Sequence, residues 1–96
     1  MGMNKLAQEV DMITDYKYIY FVKIMDKPKT SVWHCRSQSS NAFLGEIKWY
    51  GPWRQYCFFP EADTVFNKSC LDDINDFIRQ LAQGIGKPGS TQGDKI

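Results

Sequence analysis

The chain has 96 residues, enough for one hydrophobic core and too few for two. A chain of this length buries only about 60–65% of the surface its unfolded form exposes, so self-association would add to a modest stability. Lysine and arginine total 12 against 11 acidic residues, and the resulting charge of +1 lacks the basic excess with which duplex binders neutralise phosphates. Apolar runs such as residues 18–22 fall far short of the ~20 residues that span a bilayer, and the first residues carry no apolar signal-peptide core. The expectation is a cytoplasmic chain without membrane or duplex nucleic acid as partner.

In chain order, residues 1–15 form an N-terminal segment in which Leu6, Val10 and Ile13 admit a short amphipathic helix over residues 4–12. Residues 16–25, YKYIYFVKIM, are β-branched and aromatic and stop at the turn-forming Asp26-Lys27-Pro28, which predicts a first strand. Residues 30–37, TSVWHCRS, alternate apolar and polar and end in the turn-forming SQSSN. Residues 43–50 and 53–59 predict two further strands joined at Gly51-Pro52. Short turns between consecutive strands favour an antiparallel meander.

A helix over residues 70–83 is predicted from the recurrence of Leu71, Ile74, Phe77, Ile78 and Leu81, with Ser69 and Asp72 at its start and Gly84 to stop it. Residues 84–96 are polar and rich in Gly and Pro, the composition of a flexible tail. The fold class is therefore α+β: a single domain over residues 16–83 with a four-stranded antiparallel sheet and a C-terminal helix packed on one face.

Alternation along each strand assigns its faces. Phe43, Ile47 and Trp49, with Trp53, Cys57 and Phe59, and with Trp33 and Cys35, are the parities expected under the helix. The opposite face is expected to carry His34, Arg36, Glu46, Lys48, Arg54 and Tyr56. The first strand is apolar on both parities, so its cover would come from the N-terminal segment or from a second subunit in a homodimer.

Three cysteines, Cys35, Cys57 and Cys70, stand at wide spacing with no C-x-x-C pair, which predicts free thiols and no metal. His34 and Cys35 are strand neighbours that point to opposite faces and cannot readily share a tetrahedral site. A thiol nucleophile would need a nearby base, and His34 with Cys57 is the one remaining pairing. Asp72, Asp73 and Asp76 suit a solvated helix start near the positive end of the dipole. Phosphate-loop, zinc-protease and nucleophile-elbow motifs do not occur, so no enzyme and no cofactor are expected.

The segment KWYGPWRQYCFF packs two tryptophans, two tyrosines and an arginine into a few residues. Arginine and aromatic side chains suit a nucleotide-like ligand or a protein hot spot, although strands favour aromatics whatever their function. The residues expected to bind a ligand or partner are His34, Arg36, Lys48, Arg54 and Tyr56. A single-stranded nucleic-acid binder that stacks bases on sheet aromatics is the alternative, and a cysteine enzyme the third reading.

Trp33, the run Leu44-Gly45-x-Ile47-x-Trp49-Tyr50-x-x-Trp53-Arg54-Gln55-Tyr56-x-Phe58-x-Pro60, and Cys70-Leu71-x-Asp73-Ile74-x-x-Phe77-Ile78 together resemble small proteins of bacteriophages and other mobile elements. The resemblance covers residues 33–81. It implies a phage or mobile-element accessory protein that acts by binding a host protein or a nucleotide-like ligand, and it brings no catalytic residues.

Overall fold

In the computed structural model, which describes residues 12–85, four strands form an antiparallel meander in sequence order. They are β1 (Ile19–Asp26), β2 (Ser31–Ser37), β3 (Phe43–Tyr50) and β4 (Gln55–Pro60). One helix, α1 (Lys68–Ala82), follows and covers one face. The α+β fold and its strand order are those the periodicity predicts. The predicted helix over residues 4–12, Met12 apart, and the tail beyond Ile85 lie outside the described residues.

The helix begins earlier than Ser69. Asn67 is extended, and its Oδ1 accepts the Cys70 N–H at 2.8 Å, so an Asn N-cap satisfies a donor that the first turn leaves free. At the other end Gly84 has φ 85°, its N–H donates to Leu81 O at 2.9 Å, and Ile85 N–H donates to Gln80 O at 3.1 Å. That pair of bonds is a Schellman motif, and the positive φ explains why glycine stands there.

The buried stripe of α1 runs through Cys70, Ile74, Phe77 and Leu81. Leu71, expected in that stripe, is 52% exposed, because it sits a full helical step to one side of a contact line that starts at Cys70. Phe77 anchors the core: its ring stacks on Phe21 at 4.1 Å and meets Trp33 edge-on at 4.9 Å. Aromatic pairs of this kind are worth about 0.5–1.5 kcal/mol beyond the area they bury. Ile19, Phe21, Trp33, Cys35, Ile47 and Tyr56 complete the core from the sheet.

Two bulges reset which side chains face the helix. In the β1–β2 pairing Lys23 faces Trp33 but Met25 faces Val32, which leaves Ile24 as the extra residue. In the β2–β3 pairing Cys35 faces Gly45 but Arg36 faces Phe43, which leaves Leu44 as the extra residue. Leu44 therefore packs against the core, and Phe43, expected there, lies on the opposite face with its ring 4.5 Å from that of His34.

The fourth strand departs furthest from expectation. Tyr50 pairs with Gln55, Trp49 with Tyr56, Ile47 with Phe58 and Gly45 with Pro60. Residues 51–54, four in number, form the connection, with Gly51–Trp53 in a 3-10 turn and Arg54 at φ 56°. An even-numbered connection places odd residues of one strand opposite even residues of the next. Since Ile47 faces the helix, Tyr56 and Phe58 do too, and Cys57 and Phe59 face away.

Candidate functional site

The sheet face opposite α1 carries no secondary-structure element among the described residues, and it is the candidate site. His34, Arg36 and Lys48 meet there as expected. Glu46, between His34 and Lys48, organises them: its Oε1 is 3.3 Å from Lys48 Nζ and its Oε2 is 3.3 Å from His34 Nε2. Arg36 Nη1 donates to Asn41 O at 2.8 Å, and its guanidinium lies 5.9 Å from the Phe43 ring centroid. The Glu46 carboxylate thus offsets the Lys48 charge beside it, while the Arg36 guanidinium is held by a backbone carbonyl.

Beside this polar group stands an aromatic one, drawn from the KWYGPWRQYCFF segment but outside the residues expected to bind. Tyr50 meets Trp53 at 5.1 Å and Phe59 at 5.9 Å, both edge-on. Lys48 Nζ sits 4.8 Å from the Phe59 ring and links the two groups. Trp53 is 67% exposed at the tip of the 3-10 turn. Tyr50, Trp53, Cys57, Phe58 and Phe59 line a shallow hollow of about 240 Å³.

Tyr56 does not join this face. It is 8% exposed in the core, and its hydroxyl oxygen accepts the Ser31 N–H at 3.1 Å, while Ser31 Oγ accepts from Trp33 Nε1 at 2.8 Å. The inverted parity of β4 is the cause, and it makes Tyr56 a structural residue. Arg54 is also elsewhere: with Lys29, Trp49, Tyr56, Ile78 and Leu81 it lines a cleft of about 600 Å³ between the end of the sheet and the end of α1. Trp49, expected in the core, is 44% exposed on this cleft. Trp53, also expected in the core, is lifted out of the strand by the four-residue connection.

Cys35 and Cys70 are buried free thiols, and burial, with a smaller contribution from Cys70, pushes the Cys35 thiol up to about 12. Cys57, expected to be buried, is only partly so, on the open face. His34 and Cys57 share that face but lie on β2 and β4 with β3 between them, a separation of roughly 10 Å at the usual strand spacing. A direct thiol–imidazole contact is out of reach at that distance. Among the described residues no three His, Cys, Asp or Glu side chains gather as cation ligands, and no helix is long and apolar enough to cross a membrane. On the outer side of α1, Asp72 pairs with Lys68 at 2.7 Å, and Asp76 pairs with Arg79. Asp73 is held above the usual carboxylate range by partial burial and then by both neighbouring carboxylates.

A small antiparallel sheet with one helix behind it and a face of aromatic and charged side chains in front is thus the class of protein that the geometry defines. No family model and no solved structure matches the chain. Over 68 residues it is 34% identical to the Uncharacterized 9.3 kDa protein of Acholeplasma phage L2, an alignment covering 70% of this chain and 87% of the phage protein. The chain belongs to the same family as that phage protein.

Proposed function

We propose that the chain is a non-catalytic binding module, a phage accessory protein that engages a host protein through the open face of its sheet. The observation that carries this reading is Trp53, held 67% exposed and edge-on to Tyr50 beside Phe59 and Lys48. Tryptophan and tyrosine concentrate binding energy at protein interfaces, and the core is complete without these two. Kinship with a phage protein supports the accessory setting. Native mass spectrometry of parent and Trp53→Ala protein, each purified from the host, tests the reading. The parent should retain added mass of protein size that the variant loses, and equal retention by both would place the binding surface elsewhere.

A nucleotide-like ligand or a single strand stacked on Trp53 is the second reading, favoured by the Lys48–Phe59 contact. Glu46 weighs against it, since its carboxylate already occupies Lys48 and would repel a nearby phosphate. Titration with a short thymidine oligonucleotide separates the two: quenching of tryptophan emission that weakens with salt supports the strand reading, and unchanged emission supports the protein one.

A further inference from the structure

The two edges of the sheet are finished differently. On β1, Tyr16 N–H donates to Ile19 O and Phe21 N–H donates to Thr14 O, both at 2.9 Å, so the preceding segment occupies the first half of that edge. The second half carries Lys23 on the helix side, the bulge at Ile24 and Asp26, devices that discourage strand addition. On β4 no such devices occur between Gln55 and Phe59, a stretch without charge. Among the described residues no backbone group beyond β3 bonds to it.

The phase of the β3–β4 ladder determines which β4 groups are free. Glu61 N–H donates to Leu44 O at 2.9 Å, so residues 61, 59, 57 and 55 bond inward to β3. Tyr56, Phe58 and Pro60 consequently turn their backbone polar groups outward, and proline, without an N–H, sits at the outward position that an edge strand tolerates.

We infer that two copies of the chain associate antiparallel through their β4 edges, with Cys57 of each copy facing Cys57 of the other across a two-fold axis. Of three symmetric registers, centred on Tyr56, Cys57 or Phe58, the free groups select one. Centred on Phe58, Tyr56 would face the second copy's Pro60, which has no N–H to give the Tyr56 carbonyl. Centred on Tyr56, Phe58 would face Arg54, whose N–H is already committed to Tyr50 O at 2.9 Å and Gly51 O at 3.0 Å. Centred on Cys57, Tyr56 faces Phe58 in both directions, and every outward N–H finds a carbonyl. That register gives a pair of mutually satisfied strands and a continuous eight-stranded sheet, the isologous arrangement of a two-fold dimer. Charge favours a second copy as the occupant, since the neutral stretch from Gln55 to Phe59 meets itself without like charges in register.

The contact is short, ended by Arg54 on one side and Pro60 on the other, so its affinity belongs in the micromolar range of small interfaces. Sedimentation equilibrium across that range, together with a short bismaleimide cross-linker, tests it. The parent should sediment as a reversible dimer and cross-link through Cys57. The Cys57→Ser variant should dimerise equally but lose the cross-link, because Cys35 and Cys70 are buried. A Cys57→Lys variant, which sets two ammonium groups against each other on the axis, should weaken the dimer by about tenfold or more. A parent that remains monomeric throughout, or a dimer that Cys57 does not cross-link, overturns the inference. In those cases a β4 edge that pairs with an extended segment of another protein becomes the alternative.

Discussion

Gln80 holds Ile13 by both of its backbone polar groups: Gln80 Oε1 accepts the Ile13 N–H at 2.8 Å, and Gln80 Nε2 donates to the Ile13 carbonyl at 2.9 Å. The same amide donates to Tyr16 Oη at 3.0 Å. A residue in the last turn of α1 thus fastens a segment 67 positions away, and a buried amide finds partners for both ends. Gln80→Leu keeps the volume and removes all three bonds. The variant should lose about 1–3 kcal/mol in urea unfolding, and hydrogen exchange at the Ile13 amide should accelerate selectively.

Tyr16 closes the same clasp by donating to Asp76 Oδ2 at 2.8 Å. Burial, and then the Asp76 carboxylate, raise its phenol above the ordinary value of 10.0, because both disfavour the phenolate. A pKa raised in the folded state means that the Tyr16 contribution is complete below about pH 10 and falls away as the pH rises beyond it. Unfolding midpoints measured on either side of pH 10 should therefore fall more steeply for the parent than for Tyr16→Phe, which has no proton to lose. Parallel curves would show that Tyr16 ionises without consequence for the fold.

Gly45 lies beneath Phe58. A Cβ at this position would stand 2.7 Å from Phe58 Cζ and 2.7 Å from the Phe59 carbonyl oxygen. The ring can swing aside, but the backbone oxygen belongs to the ladder. Gly45→Ala should cost about 1–3 kcal/mol by chemical denaturation, as overpacked cores do, and trimming Phe58 should not restore the loss.

Tyr56→Phe separates structure from function at a residue whose type suggests a binding hot spot. Removing the hydroxyl leaves the Ser31 N–H, buried with its residue, without an acceptor, and about 1–2 kcal/mol of stability should go with it. Trp53→Ala, at the exposed tip, should change stability by less than about 0.5 kcal/mol. Thermal melts of the two variants give the comparison directly, and a larger loss for Trp53→Ala would mean that the 3-10 turn depends on its ring.

The thiols should report the two faces separately. In the native protein a thiol reagent should modify Cys57 first, with Cys35 slowest because burial and its raised pKa keep it protonated and out of reach. All three should react together in denaturant. Fast modification of Cys35 without unfolding would show that the core opens locally.

The sheet and helix were legible because their signals are local: β-branched and aromatic runs between turn residues, and an apolar recurrence at helical spacing. His34, Arg36 and Lys48 were legible for the same reason, since they fall on segments of β2 and β3 that keep one phase. Phe43 was lost at the Leu44 bulge, where a single unpaired residue shifts the phase without a distinctive sequence cue. Tyr56 departs from the expected face because the expectation carries odd parity straight through the turn, whereas the connection inverts it. Four residues between Tyr50 and Gln55, or the two of a tight Gly-Pro hairpin, both require odd to meet even. That arithmetic was available in the sequence, and it would also have brought Phe59 onto the open face beside Tyr50. The Gln80–Ile13 clasp had no such signal, because a glutamine on a helix reads as solvated until its partner is in place.

The bulge at Leu44 also works as a phase inverter. Deleting that one residue would join Phe43, opposite Arg36, directly to Gly45, opposite Cys35, in a regular ladder, so Phe43 would stay on the open face, the core would lose the Leu44 side chain, and everything from Gly45 onward would keep its partners on β4. The extra residue therefore lets β3 hand a leucine to the core while the corner of the open face next to His34 and Arg36 keeps its phenylalanine. In this fold the length of the chain, and not only the identity of its side chains, is a variable through which the filling of the core can change.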